Sequence, residues 1–142
     1  MRALLDVNVL MALLDTAHVH HMRARTWIQA HIEAGWASCP LTQNGCIRIL
    51  SQSSYPGSEP PAYVASRLRT ATQTPWHEFW PDDVSLLETE SIEWRHVLGS
   101  RQLSDVYLLS LAVHRSGRLV TFDRSVSTAS VKGAGDVHLV TI

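Results

Sequence analysis

Three aspartates sit where a carboxylate is costly to place and able to do chemistry. Asp6 interrupts the apolar run LLDVNVLMALL (residues 4–14), and Asn8 follows two residues later. Asp123 closes the apolar segment RLVTF (118–122). Asp105 follows Ser104 at the head of DVYLLSLAVHR, a stretch apolar nearly all round. Carboxylates brought together raise one another's pKa, and a cation among them reverses that cost. Mg²⁺ and Mn²⁺ are the hard ions that oxygen ligands of this kind select. An ion so held can activate water and steady a leaving oxygen, which is the chemistry of phosphodiester hydrolysis. Asn8, Ser104 and Thr121 stand beside the acids and could hold a water or orient a carboxylate. Singly, each acid has a plainer reading: strand-ending aspartates form turns, and Asp105 suits a helix dipole.

Convergence requires elements that carry these residues to one edge. Residues 2–6 read as a short buried strand, followed by helix-compatible VNVLMALL. A helical period over about 19–34 puts Ala24, Trp27, Ile28 and Ile32 on one side, with Gly35 as its stop. WASCP (36–40) reads as a strand, and Thr42 as the cap of a helix carrying Ile47, Ile49 and Leu50. Residues 51–61 are turn-rich; 61–73 form a helix, 77–83 a strand then a turn, and 84–98 helical or mixed structure ending at Gly99. Ser104 is the expected N-cap of a buried helix on which Leu103, Tyr107, Leu108, Leu111 and Ala112 share a face. Gly117 ends it, and strands follow at 118–122 and 137–142. Strands alternating with helices predict an α/β fold, a parallel sheet covered on both faces. Asp6 and Asp123 would then meet at the carboxyl ends of strands, where open α/β sheets gather ligands, and a helix N-terminus would deliver Asp105.

The totals set bounds. With 142 residues, 45% apolar and 18% charged, the chain suits one globular domain with a real core and no need of disulfides. Net charge is −1, so any surface for RNA must be a local patch. Lys132 is the only lysine, and the arginines that make up the rest of the basic residues suit bidentate phosphate contacts, although genome composition is the plainer explanation of the bias. Cys39 and Cys46 lack paired metal spacing and read as reduced core thiols. With no secretory leader pattern and no apolar stretch able to span a bilayer, the expectation is a cytoplasmic protein without membrane contact.

LLDVNVLMALL and SDVYLLSLAVHRSGRLVTFDRSV (104–126) together resemble the PIN domain, and within it the VapC-type ribonuclease toxins of type II toxin–antitoxin pairs. CPLTQNGCIRILS (39–51) and WPDDVSLL (80–87) extend the resemblance over nearly the whole chain. It implies a three-layer α/β/α sandwich with a mainly parallel sheet and Mg²⁺- or Mn²⁺-dependent endoribonuclease activity at Asp6, Asp105 and Asp123. It also implies homodimerisation and inhibition by a cognate VapB-like antitoxin. In one respect the chain departs from the pattern. The family usually carries a fourth acid early in the helix after the second strand, and Thr42-Gln43-Asn44-Gly45 stands there instead. Gln43 or Asn44 can offer a carbonyl oxygen but no charge, so the ion should be held more weakly. Asp82 or Asp83 is a substitute to test, against the simpler reading of WPDD as a turn.

Remaining features are weighed on chemistry alone. His18, His20 and His21 have no second ligand pair at zinc spacing, and solvated histidines at a helix start explain them. Arg48 could grip a phosphate near the acids, or pair with Asp15; Arg124 could meet RNA or an antitoxin carboxylate. The tryptophans at 27, 36, 76, 80 and 94 suit core packing and partner contacts better than base stacking. Two other readings stay open: a PIN-like module that binds RNA or an antitoxin without cutting, and an aspartyl-phosphate enzyme or receiver. The last fits poorly, because Asn8 stands where a second aspartate is wanted and Lys132 lies in a Gly-rich loop.

Overall fold

Neighbouring strand residues split between two apolar layers, and that split builds the fold. The computed structural model describes all 142 residues. β1 (Ala3–Leu5), β2 (Trp36–Ser38), β3 (His77–Phe79), β4 (Arg118–Thr121) and β5 (Leu139–Thr141) form one sheet in the order β3-β2-β1-β4-β5. Every pairing is parallel, with Leu4 opposite Ala37 and Leu119, and Leu5 opposite Val120. Side chains alternate across such strands. Leu5 and Val120 pack into one layer with Val9, Leu10, Cys46 and Leu68. Leu4 and Leu119 pack into the other with Trp80, Leu108 and Leu111. Leu4, Leu5 and Leu119 are wholly buried, each worth roughly 1.5–3 kcal/mol.

The first layer comprises α1 (Val7–Leu14), α2 (His21–His31), α3 (Pro40–Leu50) and α4 (Pro61–Thr72). The second rests on α5 (Leu103–His114), which buries Val106, Leu108, Leu109, Ser110, Leu111 and Ala112 and so is apolar around most of its girth. This is the expected three-layer α/β/α arrangement. Its edges are tied. The Arg2 guanidinium donates to the Trp76 carbonyl (2.9 Å) and pairs with Glu78 (3.0 Å). Glu78 in turn accepts from the Trp80 indole (2.9 Å). Gly35 turns the chain into β2 at φ +78, and Arg2 occupies the space a Cβ would need. No helix is long and apolar enough to cross a membrane.

Several local expectations are corrected. Thr42 does not cap α3. Pro40, whose fixed φ suits the first helical position, starts the helix earlier, with Cys39 as the cap residue. Thr42 sits one turn in, its hydroxyl accepting from the Cys39 amide (3.0 Å). Ser104 is not the N-cap of α5 either. A 3₁₀ turn at Ser100–Gln102 runs straight into the helix, and the Gln102 side-chain Oε1 accepts from the Leu98 and Gly99 amides. Leu103 is consequently exposed rather than on the buried face. Residues 84–98 hold no α-helix, only turns and a 3₁₀ turn at Trp94–His96. Long-range bonds from Glu93 to Ser130 and Lys132 to Ser91 fix that segment. The helix expected to about residue 34 ends at His31 in a 3₁₀ turn, and the last strand starts only at Leu139.

Gly117 lies where Trp80 crosses the start of β4: a Cβ there would stand 2.6 Å from the indole and 2.7 Å from the Arg2 carbonyl. Gly117→Ala should therefore displace Trp80 and lower stability by about 1–3 kcal/mol in urea unfolding. An unchanged midpoint would mean the indole shifts freely.

Candidate functional site

The chain reaches the sheet's carboxyl edge twice side by side, at the ends of β1 and β4. Asp6, one residue past β1, has extended backbone and caps α1; its Oδ1 accepts from the Val7 amide (2.7 Å) and its carbonyl from Val9 and Leu10. Thr121 ends β4, fully buried, and its hydroxyl donates to Asp6 Oδ2 (2.7 Å). Thr121 Oγ1 itself accepts from Asn8 Nδ2 (3.1 Å) and the Asp123 amide (3.0 Å). Asn8 Oδ1 accepts from the Phe122 amide (3.3 Å). Thr121 is thus the junction through which Asp6, Asn8 and the turn carrying Asp123 hold one another. Ser125, which sequence reasoning missed, donates to Asp123 Oδ1 from both its amide and its hydroxyl (2.7 Å each). The signal available was Asp followed two residues later by Ser, the pattern of a side-chain-stabilised turn.

Asp105 lies in the first turn of α5. Two of the acids therefore sit at helix N-termini, where the backbone dipole favours negative charge. They still repel. Burial and then the charges of Asp6 and Asp123 push the Asp105 carboxyl up to about 6. Burial also raises Asp6, although the Thr121 hydroxyl and Val7 amide pull it back; Asp123 adds to the rise. Asp123 alone is lowered, by its two bonds from Ser125. Asp6 comes from the start of the chain and Asp105 and Asp123 from its last third, yet the three lie within electrostatic reach of one another. As the side chains stand, no three acidic, imidazole or thiol groups close into a finished ligand set. The donors at this edge are oxygens throughout, the chemistry that a hard divalent ion prefers.

Other residues singled out by sequence go elsewhere. Gln43 donates to Ser38 Oγ (2.9 Å) on the neighbouring strand, and Asn44 is exposed on α3. Ser104 is exposed and bonds to none of the acids. Asp82 is no fourth carboxylate: it accepts from the Leu41 amide at the head of α3 (2.9 Å), and Asp83 pairs with Arg115 (2.5 Å). Arg48 does not pair with Asp15, which Tyr55 and the Ala17 amide already hold. Arg48 and Arg124 are exposed, and the ion pairs present use Arg2, Arg95, Arg115 and Lys132 instead. The histidines take separate duties. His21 bonds the Ala12 carbonyl, His18 the His20 amide, and His20 packs on Phe122 at 4.8 Å. Cys39 and Cys46 are buried free thiols, pushed by burial to about 11 and about 12. Of the tryptophans, Trp80 is core, while Trp76 and Trp94 are exposed.

The chain matches a family model, the PIN domain, over residues 3–132. It is 51% identical to Ribonuclease VapC44 of Mycobacterium tuberculosis strain H37Rv, over the full length of both chains. It is 40% identical to Ribonuclease VapC39 of the same strain, over 96% of this chain and 99% of the relative. Ribonuclease VapC38, again of that strain, is 41% identical over 99% of each.

The raised carboxyls carry a sign for stability. A carboxyl whose folded pKa lies above its unfolded one binds more protons when folded. Stability then falls as pH rises from near 4 through about 6, and stays lower above. Asp123 works in the opposite sense but is exposed. In metal-free buffer Asp105→Asn should raise the melting temperature at pH 7–8 and leave it unchanged near pH 3.5. A variant less stable than the parent at pH 8 would mean that repulsion at this edge is negligible.

Proposed function

Because this chain belongs to the PIN domain family, we propose that it is a metal-dependent endoribonuclease, the toxin of a type II pair, with Asp6, Asp105 and Asp123 as its catalytic and metal-holding acids. The observation that supports the reading is that Asp105, in the first turn of α5, feels the charges of both Asp6, just past β1, and Asp123, just past β4. When bound there, Mg²⁺ or Mn²⁺ would offset their charge and polarise a water and a phosphodiester. The chain's own residues do the holding. Thr121 and the Val7 amide fix both oxygens of Asp6, Ser125 fixes Asp123, and Asn8 locks the backbone that joins Thr121 to Asp123. Arg48 and Arg124 offer uncompensated guanidinium groups for RNA phosphates or an antitoxin carboxylate.

An antitoxin of the VapB kind and a second copy of the chain are the proposed protein partners. Leu87, Trp94 and Leu98 leave large apolar surfaces exposed on one segment, which supports a protein contact there. The two buried thiols suit a reducing cytoplasm. One observation favours a second reading, a module that binds without cutting: Gln43 brings no charge to the place where a fourth acid is usual.

One experiment separates them. The purified chain is incubated with RNA in Mg²⁺, in Mn²⁺ and in EDTA, beside Asp6→Asn and Thr121→Val. The wild type should cut only with a divalent ion. Asp6→Asn should abolish cutting with its circular dichroism kept. Thr121→Val, which removes a positioning hydroxyl, should cost roughly 10–100-fold, recovered in part at higher metal concentration. Full cutting by folded Asp6→Asn, or by the wild type in EDTA, would discard the metal-nuclease reading; RNA bound but never cut would select the module.

A further inference from the structure

Behind the acidic edge, a polar chain of hydrogen bonds runs from β3 to α3. The His77 ring packs on Trp36 (4.4 Å) and its Nε2 lies 2.8 Å from Ser38 Oγ. Ser38 is fully buried, and its Oγ also receives Gln43 Nε2 at 2.9 Å. The direction of these bonds can be derived. Burial and the neighbouring Arg2 charge lower the His77 pKa, against the Thr72 carbonyl and Glu78, so the ring is neutral near pH 7. Gln43 meets Ser38 Oγ with its Nε2, which can only donate, so the hydroxyl oxygen accepts there and its own proton is left for His77 Nε2. The Gln43 amide is therefore held with its NH₂ inward, and Oε1 is the atom left for anything outside.

Outside is a cleft of about 230 Å³ between α3 and α4, lined by Gln43, Asn44, Ile47, Leu68, Arg69 and Thr72. It is smaller than the roughly 300–1,000 Å³ of a whole small-molecule site, a size for one planar ring. Ile47 and Leu68 give an apolar floor, while Arg69 is exposed and takes part in none of the ion pairs. The cleft is also close to the acids. Ser38 ends the strand beside β1, one step of about 5 Å across the sheet. Gly45, two residues past Gln43, lies against Val7, the neighbour of Asp6.

We infer that Gln43 is a specificity-determining residue: its locked amide oxygen accepts a hydrogen bond from the exocyclic amino group of one base of a single-stranded RNA. Ser38 and His77 are its positioning residues. A fixed acceptor facing the 4-position of a pyrimidine favours cytosine, which carries an amino group there, and disfavours uracil, which carries a carbonyl oxygen. Arg69 supplies the phosphate contact beside it.

This rests on the reading of the chain as acting on RNA, and its test does not require cutting. The full-length chain carrying Asp6→Asn, in Mg²⁺, is titrated into fluorescein-labelled hexacytidylate and hexauridylate and followed by anisotropy. Cytidylate should bind roughly three- to tenfold tighter, the scale of one neutral hydrogen bond. Gln43→Leu should erase the difference. Ser38→Ala should shrink it while leaving Gln43 in place, because a freed amide can turn either face outward. Equal affinities in the parent, no binding of either RNA, or a difference that survives Gln43→Leu would each overturn the inference. Failure of the nuclease reading shows separately, as RNA left whole by the wild-type chain.

Discussion

A carboxylate held out of water is the constraint around which this fold is arranged. Asp6 is only 7% exposed and stands between two apolar layers. A buried charge without partners is strongly destabilising. Here both oxygens are satisfied, one by the head of α1 and one by the Thr121 hydroxyl, a residue 115 positions away. That bond requires β1 and β4 to be adjacent, parallel and in register, with Leu5 opposite Val120. A slip of one residue would turn Thr121 to the other face and leave Asp6 unpartnered. Local chemistry at the edge and long-range topology are therefore a single requirement.

The sheet order follows the same logic. β1 is the central strand and β4 lies beside it, both covered on each face by an apolar layer. Helices α1 and α5 both begin at the acidic edge, and their N-terminal dipoles soften the burial and the repulsion that together lift Asp105 to about 6. The cost that remains favours a function, since a chain selected for stability alone would not gather three acids at its core's rim.

The acids were legible because each breaks or borders an apolar run, and the alternation of short strands with helices made the parallel sheet readable. What escaped was set by contacts that no window of sequence contains. Thr42 and Ser104 look like caps, but Pro40 and Gln102 start those helices earlier. Residues 84–98 carry enough leucine to suggest a helix, yet their backbone is spent on bonds to Ser130 and Lys132 and on a bridge between Ile92 and Val131. Asp15 was free to claim Arg48 on paper; Tyr55, from the turn-rich loop, had taken it. The Ser38–His77 contact spans 39 residues, so the orientation of Gln43 was invisible until β2 and β3 were paired.

β3 is three residues long, mostly exposed, and hydrogen-bonded to a neighbour on one side only. Edge segments of this kind open locally at a fraction of the free energy that unfolds the core. Its amides should thus exchange with solvent well before those of β1 and β4. The histidine that orients Gln43 rides on this edge strand, whereas Thr121 sits on an interior one. Breathing at the margin can blur what the cleft reads while the acidic edge keeps its shape.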